Sequence, residues 1–235
     1  MSKKVNFSRH LEVDWLEQVA IQCSQGIELK TINENLEKML EPFVTCKVNR
    51  DKTRNQLINL WAKVPENINK SFNLVGFEFV QQNDSPALIL HWGQLVAKNI
   101  FFTDIVRFIG RKAKHDDSFT YAQIQKSLVE QYGDTETVKR ALRSVLKTLV
   151  GFQIIKKETH RLYSPQKLSI TVESKYKSWL MLALMHNQEI SSRSLNDLLN
   201  DLVWFPFELS VNINELSDSY FELHQQGNDL VLFRK

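Results

Sequence analysis

The 235-residue sequence predicts a mainly α protein: a helical N-terminal half, a central helix–helix–hairpin unit, and a small α+β C-terminal portion with a terminal β-hairpin. Three observations carry this expectation. Helix-favouring residues dominate, and apolar residues recur at helical spacing through most of the first 150 positions. Only 7 Gly and 5 Pro are present, too few for long flexible linkers. From Phe207 onward the pattern changes to short strand-like runs, the last two joined by Gln225–Asp229. The expected segments are 1–99, helical; 100–165, the central unit; and 166–235, the α+β portion.

Hydrophobic residues at 43% and charged residues at 24% describe an ordinary folded chain rather than a disordered one. Met1–Lys4 runs into Val5–Arg9 without an apolar core, so no secretory signal is expected. The longest uncharged run, Ser85–Ala97, is shorter than a membrane span, and no membrane partner is expected. Two cysteines, Cys23 and Cys46, are too few for a metal cluster or a disulfide framework, which fits a reduced, cytoplasmic compartment; a single bridge stays open. Net charge is only +3, but its distribution is uneven: residues 101–165 carry 12 Lys and Arg against 7 Asp and Glu. Residues 166–235 reverse this, with 6 against 9.

In the N-terminal segment, Asp14–Ser24 places Trp15, Leu16, Val19, Ala20 and Cys23 on one helical face, and Gly26 ends it. A second helix over Lys30–Leu40 uses Ile32, Leu36, Met39 and Leu40, and Pro42 closes it. Glu28, Glu34, Glu37 and Glu41 line that helix, so the pair reads as a structural hairpin and not as a DNA reader. A helix over Asn49–Ala62 turns Leu57, Ile58, Leu60 and Trp61 inward. Arg50, Lys52 and Arg54 stand near its start, where the helix dipole disfavours cations; they read as a solvated basic turn, with an outside anion as the alternative. Glu66–Val80, with Phe72, Phe77 and Phe79, follows Pro65. Asn83–Pro86 is expected to stop this helix and cap the next. Ala87–Ala97 is apolar nearly all round and reads as a buried helix, with His91 a satisfied core residue. Ile100–Arg111 follows, with Gly110 as its expected end.

The central unit is the informative stretch. Thr120-x-x-Gln123 has capping-box form and opens a helix burying Ile124, Leu128 and Val129 up to Tyr132-Gly133. Asp134 or Thr135 then caps a helix whose Val138, Ala141, Leu142, Val145, Leu146 and Leu149 share one face. Lys139, Arg140, Arg143 and Lys147 are left on the other. After Gly151, Phe152–Lys157 and Arg161–Tyr163 read as strands about a Glu158–His160 turn. Helix, helix and hairpin in this order, preceded by Ile100–Arg111, resemble the winged-helix family. That resemblance implies a reading helix in the major groove. Thr137, Lys139, Arg140 and Arg143 would then reach base edges, Lys147 a phosphate, and Lys156, Lys157, His160 and Arg161 the backbone or an adjacent groove. Winged helices also serve as protein-contact modules, which is the alternative.

In the last segment, Val172–Met185 reads as a buried helix with Trp179, Leu180, Leu182, Ala183 and Met185. Ser191–Asp201 reads as another, with Leu195, Leu198, Leu199 and Leu202 inward. Trp204–Phe207 is a packing plug. Phe207–Val211, Tyr220–His224 and Leu230–Phe233 are strands, and this acidic end is expected to contact a protein partner or a second copy.

Reactive constellations are not apparent. There is no Gly-rich phosphate loop, no Walker lysine, no GxSxG, and the 6 histidines are scattered, so no cofactor and no enzymatic activity are expected. Asp116-Asp117 and the Asp218/Glu222 pair lack the lysine a nuclease site would set on a neighbouring strand. Length, helix order, Arg50/Arg54 in NRDKTRNQLINLW and the TVKRALRSVLKTLVGFQIIKK stretch are similar to the BrxA family, small DNA-binding accessory proteins of BREX phage-defence systems; the C-terminal hairpin is longer than that pattern. The resemblance implies a double-stranded DNA-binding role in a defence setting. The sequence therefore predicts a non-enzymatic DNA-binding protein, with an assembly subunit contacting only protein as the alternative.

Overall fold

The computed structural model describes residues 5–66, 68–82, 87–166, 169–216 and 219–235. Within them the chain is mainly helical, with ten α-helices and eight short strands in small sheets. The expected Asn83–Pro86 stop and cap lie outside the described residues, as does Asp218.

The first segment holds α1 (Val13–Ser24), α2 (Leu29–Leu40), α3 (Lys47–Trp61), α4 (Lys70–Gln81) and α5 (Leu88–Lys98). Helix α1 buries the five residues expected of it, and Gly26, at φ 70, turns the chain out of the helix. Ile32, Leu36 and Leu40 of α2 are buried, while Met39 is half-buried. Helix α4 starts four residues later than Glu66, at Lys70, because the Asn69 side chain accepts the Ser71 N–H there and ends the preceding loop.

For Arg50 and Arg54 the structure corrects both readings offered for the basic start of α3. Arg50 is buried: its Nε donates to Glu37 of α2 at 2.6 Å, and its Nη1 donates to the Val44 and Thr45 carbonyls at 2.8 and 3.1 Å. Arg54 pairs with Glu37 and Asp51. The Arg50 hydrogen bond holds the Glu37 carboxyl below its usual value. An acidic α2 and a basic α3 thus neutralise each other face to face. Lys52, on the opposite side of α3, stays exposed.

Helix α5 is buried over Ile89–Ala97 and crosses α9 (Ser174–Gln188), the equally buried helix of the last segment. The crossing is close because Gly93 has no side chain. A Cβ there would lie 2.1 Å from the Trp179 ring. Trp179 stacks on Phe72 with ring centres 4.7 Å apart and donates its Nε1–H to the Phe72 carbonyl at 3.0 Å. His91 is a core residue, as expected, but is satisfied at one nitrogen: Trp61 Nε1 donates to its Nδ1 at 3.2 Å, its buried Nε2 has no partner among the described residues, and burial pushes its pKa down to about 3.

Helix α6 runs from Ile100 to His115, past the Gly110 expected to end it. Gly110 serves packing instead: a Cβ on it would meet the Leu202 carbonyl at 2.6 Å, so glycine permits the 202–205 turn to lie against α6. Two residues of β1 (Phe119–Thr120) lead into α7 (Tyr121–Tyr132) and α8 (Glu136–Gly151), followed by β2 (Ile155–Lys157) and β3 (Leu162–Pro165). The Thr120/Gln123 capping box forms, and Thr135 rather than Asp134 caps α8. The three strands make an antiparallel sheet in the order β1-β3-β2, with Phe119 opposite Tyr163 and Lys157 opposite the same Tyr163. Strand β1 is too short to show a period and has no counterpart in the sequence reading. Val129 is half-buried rather than core.

In the last segment, β4 (Ile170–Thr171) pairs in parallel with β6 (Phe207–Glu208). Ser191–Asp201 is not one helix: Ser192–Ser194 forms β5, and only Leu195–Leu199 is α10. The reason is the terminal hairpin, β7 (Phe221–Gln226) and β8 (Asp229–Arg234), whose inner strand offers Val231–Phe233 to β5 and captures those residues into a sheet of order β5-β8-β7. Leu198 is buried, whereas Leu195, Leu199 and Leu202 are half-buried. Trp204 and Phe207 are buried; Trp204 Nε1 donates to the Leu198 carbonyl, and Phe207 meets Trp92 edge-on. Residues of all three segments contribute to one continuous core.

Candidate nucleic-acid interface

Helix α8 is amphipathic because its seven buried positions recur every three or four residues: Val138, Ala141, Leu142, Val145, Leu146, Thr148 and Leu149. The opposite face therefore carries Thr137, Arg140, Arg143 and Lys147, all exposed. The β2–β3 hairpin stands beside that face. Tyr121, Ala122 and Gln125 from the start of α7, Arg143, Leu146, Lys147 and Val150 from α8, and Lys157, His160, Arg161 and Tyr163 from the hairpin enclose a cleft of about 540 Å³. No carboxylate lines it.

A second, shallower hollow of about 270 Å³ adjoins the first, since Arg143 and Lys147 line both; Arg9, His10, Arg140 and Ser144 complete it. Arg9 and His10 were missed in the sequence. They belong to an extended N-terminal strap, residues 5–12, laid across α3, α6 and α8. Phe7 stacks near Phe102, and Gln56 of α3 takes the Ser8 and Arg9 N–H groups at 2.8 and 2.9 Å while donating to the Arg9 carbonyl. The buried Leu11 N–H donates to Thr148 Oγ1 of α8 at 2.8 Å. Among the described residues the Arg9 guanidinium bonds neutral groups, the Ser8 carbonyl and Asn49 Oδ1, and no carboxylate pairs with it. Lys147 Nζ donates to His10 Nε2 at 3.0 Å. Burial, then the nearby Lys147 and Arg9 charges, push the His10 pKa down to about 4, so the imidazole is neutral and accepts. Glu12 lies 3.3 Å from the same nitrogen and sits against Gly151, where a Cβ would meet it at 2.8 Å.

The nine residues singled out in the sequence divide into two groups. Arg140, Arg143, Lys147, Lys157, His160 and Arg161 converge on the two joined hollows. Lys139 and Lys156 do not: Lys139 pairs with Asp134 at 2.7 Å, and Lys156 pairs with Glu158 at 3.1 Å. Thr137 lies on the exposed first turn and lines neither hollow. Arg143 has a loose carboxylate neighbour, Glu136 at 3.8 Å, with its own side chain 55% exposed. No ion pair engages Arg140, Lys157 or Arg161 among the described residues. Chemically, the surface can hold a run of anions.

A larger cleft of about 650 Å³ lies between the end of α6 and residues 199–210, with Asp116, Asp117 and Glu208 in its walls; it shares no lining residue with the basic face. Asp116 is paired with Lys112 at 2.7 Å. Among the described residues no group of three or more His, Cys, Asp or Glu is placed to hold a metal, and no helix is long and apolar enough to cross a membrane. Cys23 is buried, Cys46 is exposed, and the two are not bridged. No protein-family model, curated protein or solved structure matches this chain.

Proposed function

We propose that residues 100–165 are a winged helix that binds double-stranded DNA, with α8 as the reading helix and the β2–β3 hairpin as the wing. The observation that carries this reading is the joined pair of cationic hollows along α8, lined by Arg9, Arg140, Arg143, Lys147, Lys157 and Arg161 without a carboxylate in either wall. A solvated helix face needs charge of either sign; a run of one sign, on a helix, a hairpin and a strap that meet in space, fits a polyanion. The order β1-β3-β2 behind α7 and α8 supports the winged-helix assignment, since it fixes the hairpin beside the exposed face of the second helix.

Roles follow from placement. Arg140 and Arg143, at the second turn and beyond, are set to reach base edges, with guanine as the natural bidentate partner. Arg9, Lys147, Lys157 and Arg161 take phosphates. Lys139 and Lys156, held by carboxylates, contribute little. If all six of these cations meet the duplex, log K should fall with log salt at a slope of up to about −5.

The test is fluorescence anisotropy on a labelled duplex of about 20 base pairs at about 50 and 200 mM salt. Wild-type protein should bind with steep salt dependence. Arg140→Glu combined with Arg143→Glu should weaken binding at least about 100-fold, each reversal removing one attraction and adding one repulsion. The helical circular-dichroism signal should be unchanged, because both side chains are exposed. No binding at about 50 mM salt would overturn the proposal and leave the protein-contact alternative.

A further inference from the structure

The outer face of α3 and the turn that follows it carry a row of polar side chains that the fold does not use. Lys52, Asn55, Asn59 and Lys63 follow one another at spacings of three and four residues, all exposed, and all line one groove of about 470 Å³. No side-chain hydrogen bond or ion pair engages any of the four among the described residues. Their neighbours in the groove, by contrast, are committed: Gln56 to the strap, and Lys98 to the Leu60 and Lys63 carbonyls at 2.6 and 2.8 Å. No carboxylate lines this groove either. The acids of the region are turned away, Asp51 and Glu37 being bound to Arg54 and Arg50 on the far side of α3.

The groove adjoins the α8 hollows through the strap. Ser8 lines the α3 groove, the next two residues line the α8 hollow, and Leu11 lines the α3 groove again while bonded to Thr148 of α8. The α3 groove and the α8 hollow therefore flank the same strap, whose successive Cα atoms are about 3.8 Å apart. From Lys52 to Asn59 the row covers about 10 Å of helix, and Lys63 continues it just past the end of α3. The helical part is roughly the axial length of three phosphates on one strand of a duplex.

We propose that the duplex seated on α8 continues over α3, where Lys52, Asn55, Asn59 and Lys63 hold its phosphates. The interface is then bipartite: α8 reads, and α3 lengthens the footprint without reading sequence. The inference rests on the DNA-binding reading of α8. It assigns a role to an N-terminal domain that would otherwise serve only as a platform, and it requires that affinity depend on duplex length.

The experiment uses the full chain and two duplexes of about 10 and 25 base pairs, titrated at several salt concentrations. Wild-type protein should bind the longer duplex more tightly than the extra sites alone provide. Lys52→Ala with Lys63→Ala should weaken binding to the longer duplex about tenfold or more, lower its salt slope by about 2, and remove the length advantage. Binding that the double variant leaves unchanged on both duplexes overturns the α3 contact while the α8 reading stands. Failure of wild-type protein to bind either duplex overturns both. Lys52→Arg with Lys63→Arg keeps both charges and should restore the slope; a slope that stays low overturns the phosphate role.

Discussion

The strap makes Thr148 the residue to perturb. Thr148 and Leu11 are both fully buried, and the Leu11 N–H has Thr148 Oγ1 as its acceptor at 2.8 Å. Thr148→Val exchanges the hydroxyl for a methyl group of nearly the same shape, so no cavity is made. What remains is a buried N–H without a partner, a loss of about 1–3 kcal/mol. For a chain of this size a loss of about 2 kcal/mol lowers Tm by roughly 4–8 °C. Thr148→Ser is the control: it keeps the acceptor and loses one buried methyl, about 1 kcal/mol. The two variants separate in hydrogen exchange. The Leu11 amide should exchange about 10-fold or more faster in the Val variant and near the wild-type rate, relative to global stability, in the Ser variant. Because Leu11 follows His10 and Arg9, the Val variant should also bind DNA a fewfold more weakly, and the Ser variant should not. A Val variant within about 0.5 kcal/mol of wild type, with Leu11 protection intact, would refute the claim that this bond fastens the strap to α8.

Two further outcomes are expected from the core. Gly93→Ala adds about 1 kcal/mol of helix propensity but drives its Cβ to 2.1 Å from the Trp179 ring, an overpacking that costs about 3 kcal/mol or more. Thermal denaturation should therefore show a net fall in Tm of several degrees, and an unchanged or higher Tm would mean that α5 and α9 do not cross this closely. The second outcome concerns pH: His91 and His10 have pKa values pushed to about 3 and about 4 in the folded state, against an ordinary value of 6.5. The unfolded chain takes up these protons first, so their contribution is complete above pH 6.5 and is lost as pH falls from there towards 4 and 3. For the fully buried His91 the loss over the whole window is on the order of 5 kcal/mol. Urea denaturation between pH 7 and 4 should show this slope, and His91→Gln, which keeps an acceptor for Trp61 but does not titrate, should flatten it; an equally steep fall in that variant would sink the assignment.

Periodicity made the helices legible, because a face that is to be buried must repeat with the helix whatever buries it. The helices α1 and α2 could be read from Trp15 and Ile32 for that reason, and α5 and α9, buried all round, from their apolar runs about Trp92 and Trp179. It could not show where a helix is stopped by a neighbour or passes one. Gly110 looks like a terminator until Leu202, ninety-two residues later, is seen against it. Ser192–Ser194 looks helical until the inner strand of the terminal hairpin pairs with it. Both misreadings have one origin: local propensity is worth tenths of a kcal/mol per residue, and a long-range contact outweighs it.

Charge was misjudged by the same route, and its correction separates paired from unpaired cations. Arg50, Lys52 and Arg54 look equivalent in the sequence. On a helix, however, positions 50 and 54 share a face, and position 52 lies about 200° away. Glu37, on the preceding helix, is bound by the two arginines and leaves the lysine between them unpaired. The same rule divides α8 and the hairpin, where Asp134 and Glu158 hold Lys139 and Lys156 while Arg140 and Lys157 face the cleft without an acid. A count of basic residues treats all of these alike. Only pairing across the fold tells them apart, and among the described residues it leaves Arg140, Lys157 and Arg161 without an ion pair, on a helix and a hairpin that line joined hollows. A ligand matched to that whole row would carry several negative charges in line.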